Sequence, residues 1–125
     1  MGQAVSASEH PQAVLQAKLW YAQRISAMIL GLCVSIHLII IFYAIRGGLT
    51  AQEILGRTQG NVPFAIFYEI FVLACFVHAP IGMINILQET FPKSAIARPI
   101  AWLLALLILC LGTTAVIGLY SGGEA

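Results

Sequence analysis

Three long stretches with almost no charge constrain this chain more than any other feature. The first lies between Arg24 and Arg46, from about residue 25 to 45. At a rise of about 1.5 Å per residue it makes a helix of about 31 Å, the thickness of a bilayer's hydrocarbon core. The second, 63–88, carries only Glu69, close to its start, and the third, 99–120, carries no charge at all. The chain is 60% hydrophobic and 9% charged, where a soluble domain has roughly 25% charged residues. That much apolar side chain must face lipid. The predicted fold is therefore all-α, an integral membrane three-helix bundle, with 125 residues making one domain.

The flanks agree with this reading. Residues 1–18 form a polar, solvent-facing arm, with a helix start at Ser8-Glu9-His10-Pro11, and 19–125 form the membrane domain. The arm lacks a basic segment leading into a short apolar core, so the first span is expected to be retained rather than cleaved. Trp20 and Tyr21 mark an interface, where aromatic rings favour the headgroup level. In the connection 47–62, Thr50-Ala51-Gln52-Glu53 has the pattern of a capping box and predicts one short helix. Pro63 suits the first turn of the second span. Pro80, inside that span, should bend it by leaving the carbonyl of Phe76 without its donor. Lys18, Arg24, Lys93 and Arg98 lie on the side of the N-terminus, against Arg46 and Arg57 on the other. The excess of positive residues predicts a cytoplasmic N-terminus in the inner membrane.

Other functions find no support. A net charge of +1 gives no basic field for nucleic acid. Cys33, Cys75 and Cys110 lie in three different apolar runs, without metal-ligand spacing, and behave as small hydrophobes. There is no nucleotide-binding fingerprint, no cysteine cluster for iron–sulfur and no nucleophile–base pairing. The chain does not read as catalytic by itself.

Two histidines carry the candidate chemistry. His10 is in the polar arm, but His37 and His78 lie deep in spans, where a polar ring must find a partner or face the bundle interior. Counting from Ile25, His37 is about 18 Å from the inner face; counting back from Gln88, His78 is about 15 Å from it. Both are expected near mid-membrane. Each ring could hydrogen-bond a neighbouring helix as packing glue. Two at similar depth point instead to a shared cofactor, and neutral imidazole suits the two axial positions of a low-spin haem iron. Ala74 and Gly82, four residues either side of His78, share its helix face and leave room for a flat macrocycle. The alternative is ordinary small-residue packing, the role expected of Ala27, Gly31 and Ser35 on the first span. Arg24, with Tyr21, Gln23 and Ser26 nearby, has the chemistry of a quinone-head site at the membrane edge. It also reads as a snorkelling interface arginine.

The run Gln23-Arg24-Ile25-Ser26 with His37 thirteen residues after the arginine resembles the first helix of succinate dehydrogenase and fumarate reductase membrane anchors. Phe76-Val77-His78-Ala79-Pro80-Ile81-Gly82, closed by Glu89, is similar to their second helix. The resemblance covers about residues 20–89 and extends loosely over the third span. It implies a cytochrome b subunit that ligates haem b iron through His37 and His78 and exchanges electrons with a membrane quinone. Flavoprotein and iron–sulfur subunits would dock on the cytoplasmic side. Arg24 becomes a quinone-site residue, with Tyr21 and Ser26. The departures are Gln23, where many cytochrome anchors have histidine, Trp20 in place of a serine, and Asn85 in place of a second histidine.

In the diheme relatives the first helix pairs with a fourth and the second with a fifth. This chain matches only the first copy, so a second membrane chain, identical or paralogous, is expected. Either His37 and His78 join around one haem, or each pairs with its counterpart across a twofold axis. The competing functions are a haem-free anchor with structural histidines and a small transporter component with a histidine proton relay.

Overall fold

The computed structural model describes residues 9–123. Three long helices and one short one account for almost all of it: α1 (Glu9–Gly47), α2 (Ala51–Thr58), α3 (Val62–Thr90) and α4 (Ala97–Ser121). Of these, α1, α3 and α4 are long and apolar enough to cross a membrane. The expected third span corresponds to α4 and the expected second span to α3, each within a few residues. The expected polar arm lies partly outside the described residues. From Glu9 onward its backbone is continuous with the first span, as one 39-residue helix.

The central helix is α3, with α1 packed on one side of it and α4 on another. Small residues make the close approaches. Ala97, Ala101 and Ala105 recur every four residues along α4 and are buried, as are Cys33 on α1 and Ala74 on α3. Gly112 on α4 meets Val72 of α3, and a Cβ there would stand 2.7 and 2.8 Å from the two valine methyl carbons. Large apolar side chains point the other way: Leu32, Ile39, Phe42, Trp102 and Leu111 are all exposed. This inside-out distribution is what lipid permits, since it gives no hydrophobic drive for helices to bury leucine and rewards close backbone packing.

One end of the bundle is closed by α2. Gly48, at φ +103°, turns the chain after α1. The capping box is present in full. The Thr50 hydroxyl donates to Glu53 Oε2 at 2.7 Å and accepts from the Glu53 N–H at 3.2 Å, while the Thr50 N–H donates to the same carboxylate at 2.9 Å. Those bonds, the hydroxyl's first, hold the Glu53 carboxyl below the usual carboxylate range. The Arg57 guanidinium donates to Gly48 O. At the end of α2, Thr58 Oγ1 donates to Leu119 O at 3.0 Å and the Gly60 N–H to Tyr120 O at 2.9 Å, tying the connection to the end of α4. Asn61 caps α3 by accepting from the Phe64 N–H, and Pro63 occupies its first turn. Pro80 lies inside α3, which continues through it as α-helix.

Gly112→Leu forces side chain into the Val72 contact and should destabilise the bundle by about 1–3 kcal/mol. Gly118→Ala, at a glycine with nothing within 4 Å of a new Cβ, should be neutral or slightly stabilising. Thermal denaturation in detergent compares the two; equal losses would mean that Gly112 is not a tight contact.

Candidate functional site

Each buried-span histidine is held by the helix opposite its own. His37, on α1, has its Nδ1 2.8 Å from the Tyr68 hydroxyl of α3. The rings of Tyr68 and Phe71 stand edge-on to it, with centroids 5.6 and 5.8 Å away. His78, on α3, has its Nδ1 3.4 Å from Ser26 Oγ of α1. One turn further along α3, Gly82 lies against Gln23 of α1, whose Nε2 would stand 3.3 Å from a Cβ at that position.

These three contacts set an antiparallel register. Going along α1 from Gln23 through Ser26 to His37, the partners on α3 run from Gly82 through His78 to Tyr68. His37 is eleven residues from Ser26, and His78 is ten from Tyr68, so the two imidazoles sit at levels about 15 Å apart along the bundle. This replaces the expectation of similar depth. Counting from Ile25 on one helix and from Gln88 on the other measured from two ends that are not level. Ser26 is one residue inside the first end, while its neighbour His78 is ten residues inside the second. Two imidazole nitrogens on one iron stand about 4 Å apart, at about 2 Å per bond. A single haem shared by His37 and His78 of one chain does not fit this register.

Neither Nε2 makes a hydrogen bond among the described residues, and each ring is partly exposed. No group of three or more histidine, cysteine, aspartate or glutamate side chains could hold a metal ion among the described residues. The donor set is thus two separate imidazoles, each with one nitrogen anchored and one free. Imidazole of this kind suits an axial position on a haem iron, and the described residues do not gather a multi-ligand centre.

Of the small residues flanking His78, one is buried and the other meets α1. Ala74 is buried and Gly82 accommodates the Gln23 side chain. Among the described residues Gln23 Oε1 is the buried side-chain oxygen without a hydrogen-bond partner. The residues expected to bind quinone do not converge. Ser26 is buried at 4% exposure, facing α3. Arg24, two residues earlier, is exposed and stacks its guanidinium 5.3 Å from the centre of the Trp20 ring. Tyr21 is also exposed. Two helical residues span about 200°, so Arg24 and Ser26 project to nearly opposite sides.

Two site neighbours went unread in the sequence. Tyr68, five residues after Pro63, looks like an interface aromatic, and nothing local links it to a histidine 31 residues away. Glu69, seen only as a lone charge, accepts a hydrogen bond from Thr113 Oγ1 of α4 at 3.0 Å.

A family model described as the succinate dehydrogenase/fumarate reductase transmembrane subunit matches residues 6–117. The match covers most of the chain, which therefore belongs to that family: it is a multi-pass membrane protein and a membrane subunit of such a complex. No curated protein and no solved structure matches it.

The register is open to a direct check. In a background with Cys33, Cys75 and Cys110 changed to Ala, Gln23→Cys combined with Gly82→Cys should crosslink readily under mild oxidation. Gln23→Cys combined with Tyr68→Cys, about 20 Å apart along the bundle, should not. Gel mobility reads the result, and the reverse pattern would discard the register and the separation of the histidines with it.

Proposed function

We propose that this chain is a haem b-binding cytochrome subunit of its complex, with His37 and His78 each supplying one axial ligand to a different haem. The observation that carries the reading is the pair of imidazoles anchored through Nδ1 at two levels, each with Nε2 free. Bound haem supplies one-electron carriage through a layer that excludes ions. The chain's own part is to hold two neutral nitrogens in apolar surroundings and fix their separation. Because each iron then lacks a second ligand from this chain, a second membrane chain, identical or paralogous, provides it. A twofold axis along the membrane normal would set each histidine opposite its counterpart.

With the N-terminus in the cytoplasm and the chain in the inner membrane, His78 stands nearer the cytoplasmic side and His37 nearer the far side. The flavoprotein and iron–sulfur subunits would dock beside the His78 level. Electrons would pass between them and a membrane quinone. Arg24, with Tyr21, remains the candidate for the quinone head, on the exposed side of α1, a separate face from the one that holds Ser26. Ala74 and Gly82 let α1 and α3 approach closely enough to bring Ser26 to His78.

The hydrogen bonds to Tyr68 and Ser26 also favour a second reading, a haem-free anchor in which both imidazoles are packing residues. A pyridine haemochrome assay on the purified complex separates the two, since the haem-free anchor gives no signal from the membrane subunits. On the haem reading, His37→Ala and His78→Ala each remove one spectrally distinct haem and leave the other. Loss of all haem from either change, with the complex still assembled, would contradict one ligand per haem. Arg24→Leu should lower quinone turnover while leaving haem content unchanged; wild-type quinone kinetics would return Arg24 to the role of interface anchor.

A further inference from the structure

Ser26 has a better-defined partner than a quinone. Its side chain is buried, and Oγ lies between two groups: the backbone carbonyl of Gln23 at 3.1 Å and Nδ1 of His78 at 3.4 Å. A hydroxyl has one proton to give and two lone pairs to accept with. The Gln23 carbonyl can only accept, and it is the shorter of the two contacts, so we take the serine proton to lie there. What remains to His78 is an acceptor, and a ring nitrogen facing an acceptor must carry the proton. The contact therefore selects the tautomer of His78 protonated on Nδ1, which puts the lone pair on Nε2. That is the nitrogen left without a partner among the described residues.

We infer that Ser26 is a positioning residue for His78: it fixes the ring's tautomer and orientation so that Nε2 is presented as a ligand. The inference rests on the reading of His78 as a haem ligand and moves Ser26 from the quinone group to the support of that ligand. It follows a general rule that a ligating imidazole donates its other N–H to an outer partner, which sets which nitrogen binds and how strongly it donates. The Tyr68 hydroxyl stands in the equivalent place for His37. There the hydroxyl has no second acceptor among the described residues, so it can give or take the proton, and that contact alone does not select a tautomer.

The test uses the assembled, haem-loaded complex and three variants: Ser26→Ala, Ser26→Thr and His78→Ala. Removing the hydroxyl leaves the ligand nitrogen in place but deprives Nδ1–H of its acceptor. Ser26→Ala should therefore weaken retention of the His78 haem by roughly 10- to 100-fold. It should shift that haem's ferric electron-paramagnetic-resonance signal and raise its midpoint potential, because a less electron-rich imidazole stabilises ferric iron less. The other haem should be unchanged, and Ser26→Thr, which keeps a hydroxyl, should restore signal and potential. If His78→Ala abolishes the haem but Ser26→Ala leaves retention, spectrum and potential at wild-type values, the positioning role is wrong and the ligand assignment stands. If His78→Ala retains the haem, the ligand reading beneath it fails.

Discussion

The antiparallel register of α1 against α3 is the constraint from which the rest of the site follows. It is carried by side-chain contacts that would be minor in a soluble protein: a serine and a tyrosine hydroxyl on two imidazoles, and a glutamine against a glycine. Their weight comes from the surroundings. A polar ring in hydrocarbon has no water to fall back on, so sliding one helix past the other would take both imidazoles and the Tyr68 hydroxyl from these partners. Measured interhelical hydrogen bonds in membranes are individually modest, about 0.6 kcal/mol on average. Two that require the same register act together in excluding others, and the Gly82–Gln23 approach adds a steric requirement at the same alignment.

Much of the architecture was legible because it depends on local pattern. The three apolar runs, the capping box at Thr50 and Glu53, and Pro63 at the start of α3 are all properties of short windows, and the structure has each of them. Depth was not legible. Charge marks a membrane edge on each helix only separately, at Arg24 on α1 and at Gln88-Glu89 on α3. Yet Arg24 can lay its guanidinium on Trp20 while its backbone stays well inside the level where α3 ends. Long cationic side chains blur the edge by several residues, and relative depth is settled only by what touches what. The histidines were identifiable as unusual from sequence. Their separation needed Ser26 and Tyr68.

The quinone cluster shows a different limit. Tyr21, Gln23, Arg24 and Ser26 are close along the chain, but closeness in sequence is not closeness in space. On a helix those four spread around the axis. Gln23 and Ser26, three apart, share the face toward α3, while Arg24 and Tyr21 share the exposed side. The motif thus divides into an inner pair packed against α3 and an outer pair on the exposed side. The division was already present in the helical period, but which half faced α3 was not.

The same separation of faces resolves the small-residue stripes. Ala27, Gly31 and Ser35 on α1 were expected to pack a helix, yet all three are exposed and nothing lies within 4 Å of a Cβ at Gly31. Ser35 spends its hydroxyl on the Gly31 carbonyl at 2.8 Å, within its own helix. The stripe that does bring helices together within this chain is Ala97, Ala101 and Ala105 of α4, each at most 3% exposed. Both stripes have the same spacing and the same chemistry, so composition could not separate them. What separates them is topology. As the middle helix, α3 receives α1 and α4 on its own surface, and each outer helix spends only one face on it. On α1 that face holds Cys33, Ser26 and His37, and Gly31 projects from a different one. An open face of small residues and a partly exposed ring, its Nε2 without a partner among the described residues, thus occur on the same helix. Both are consequences of one fact: a three-helix chain arranged around α3 does not enclose α1.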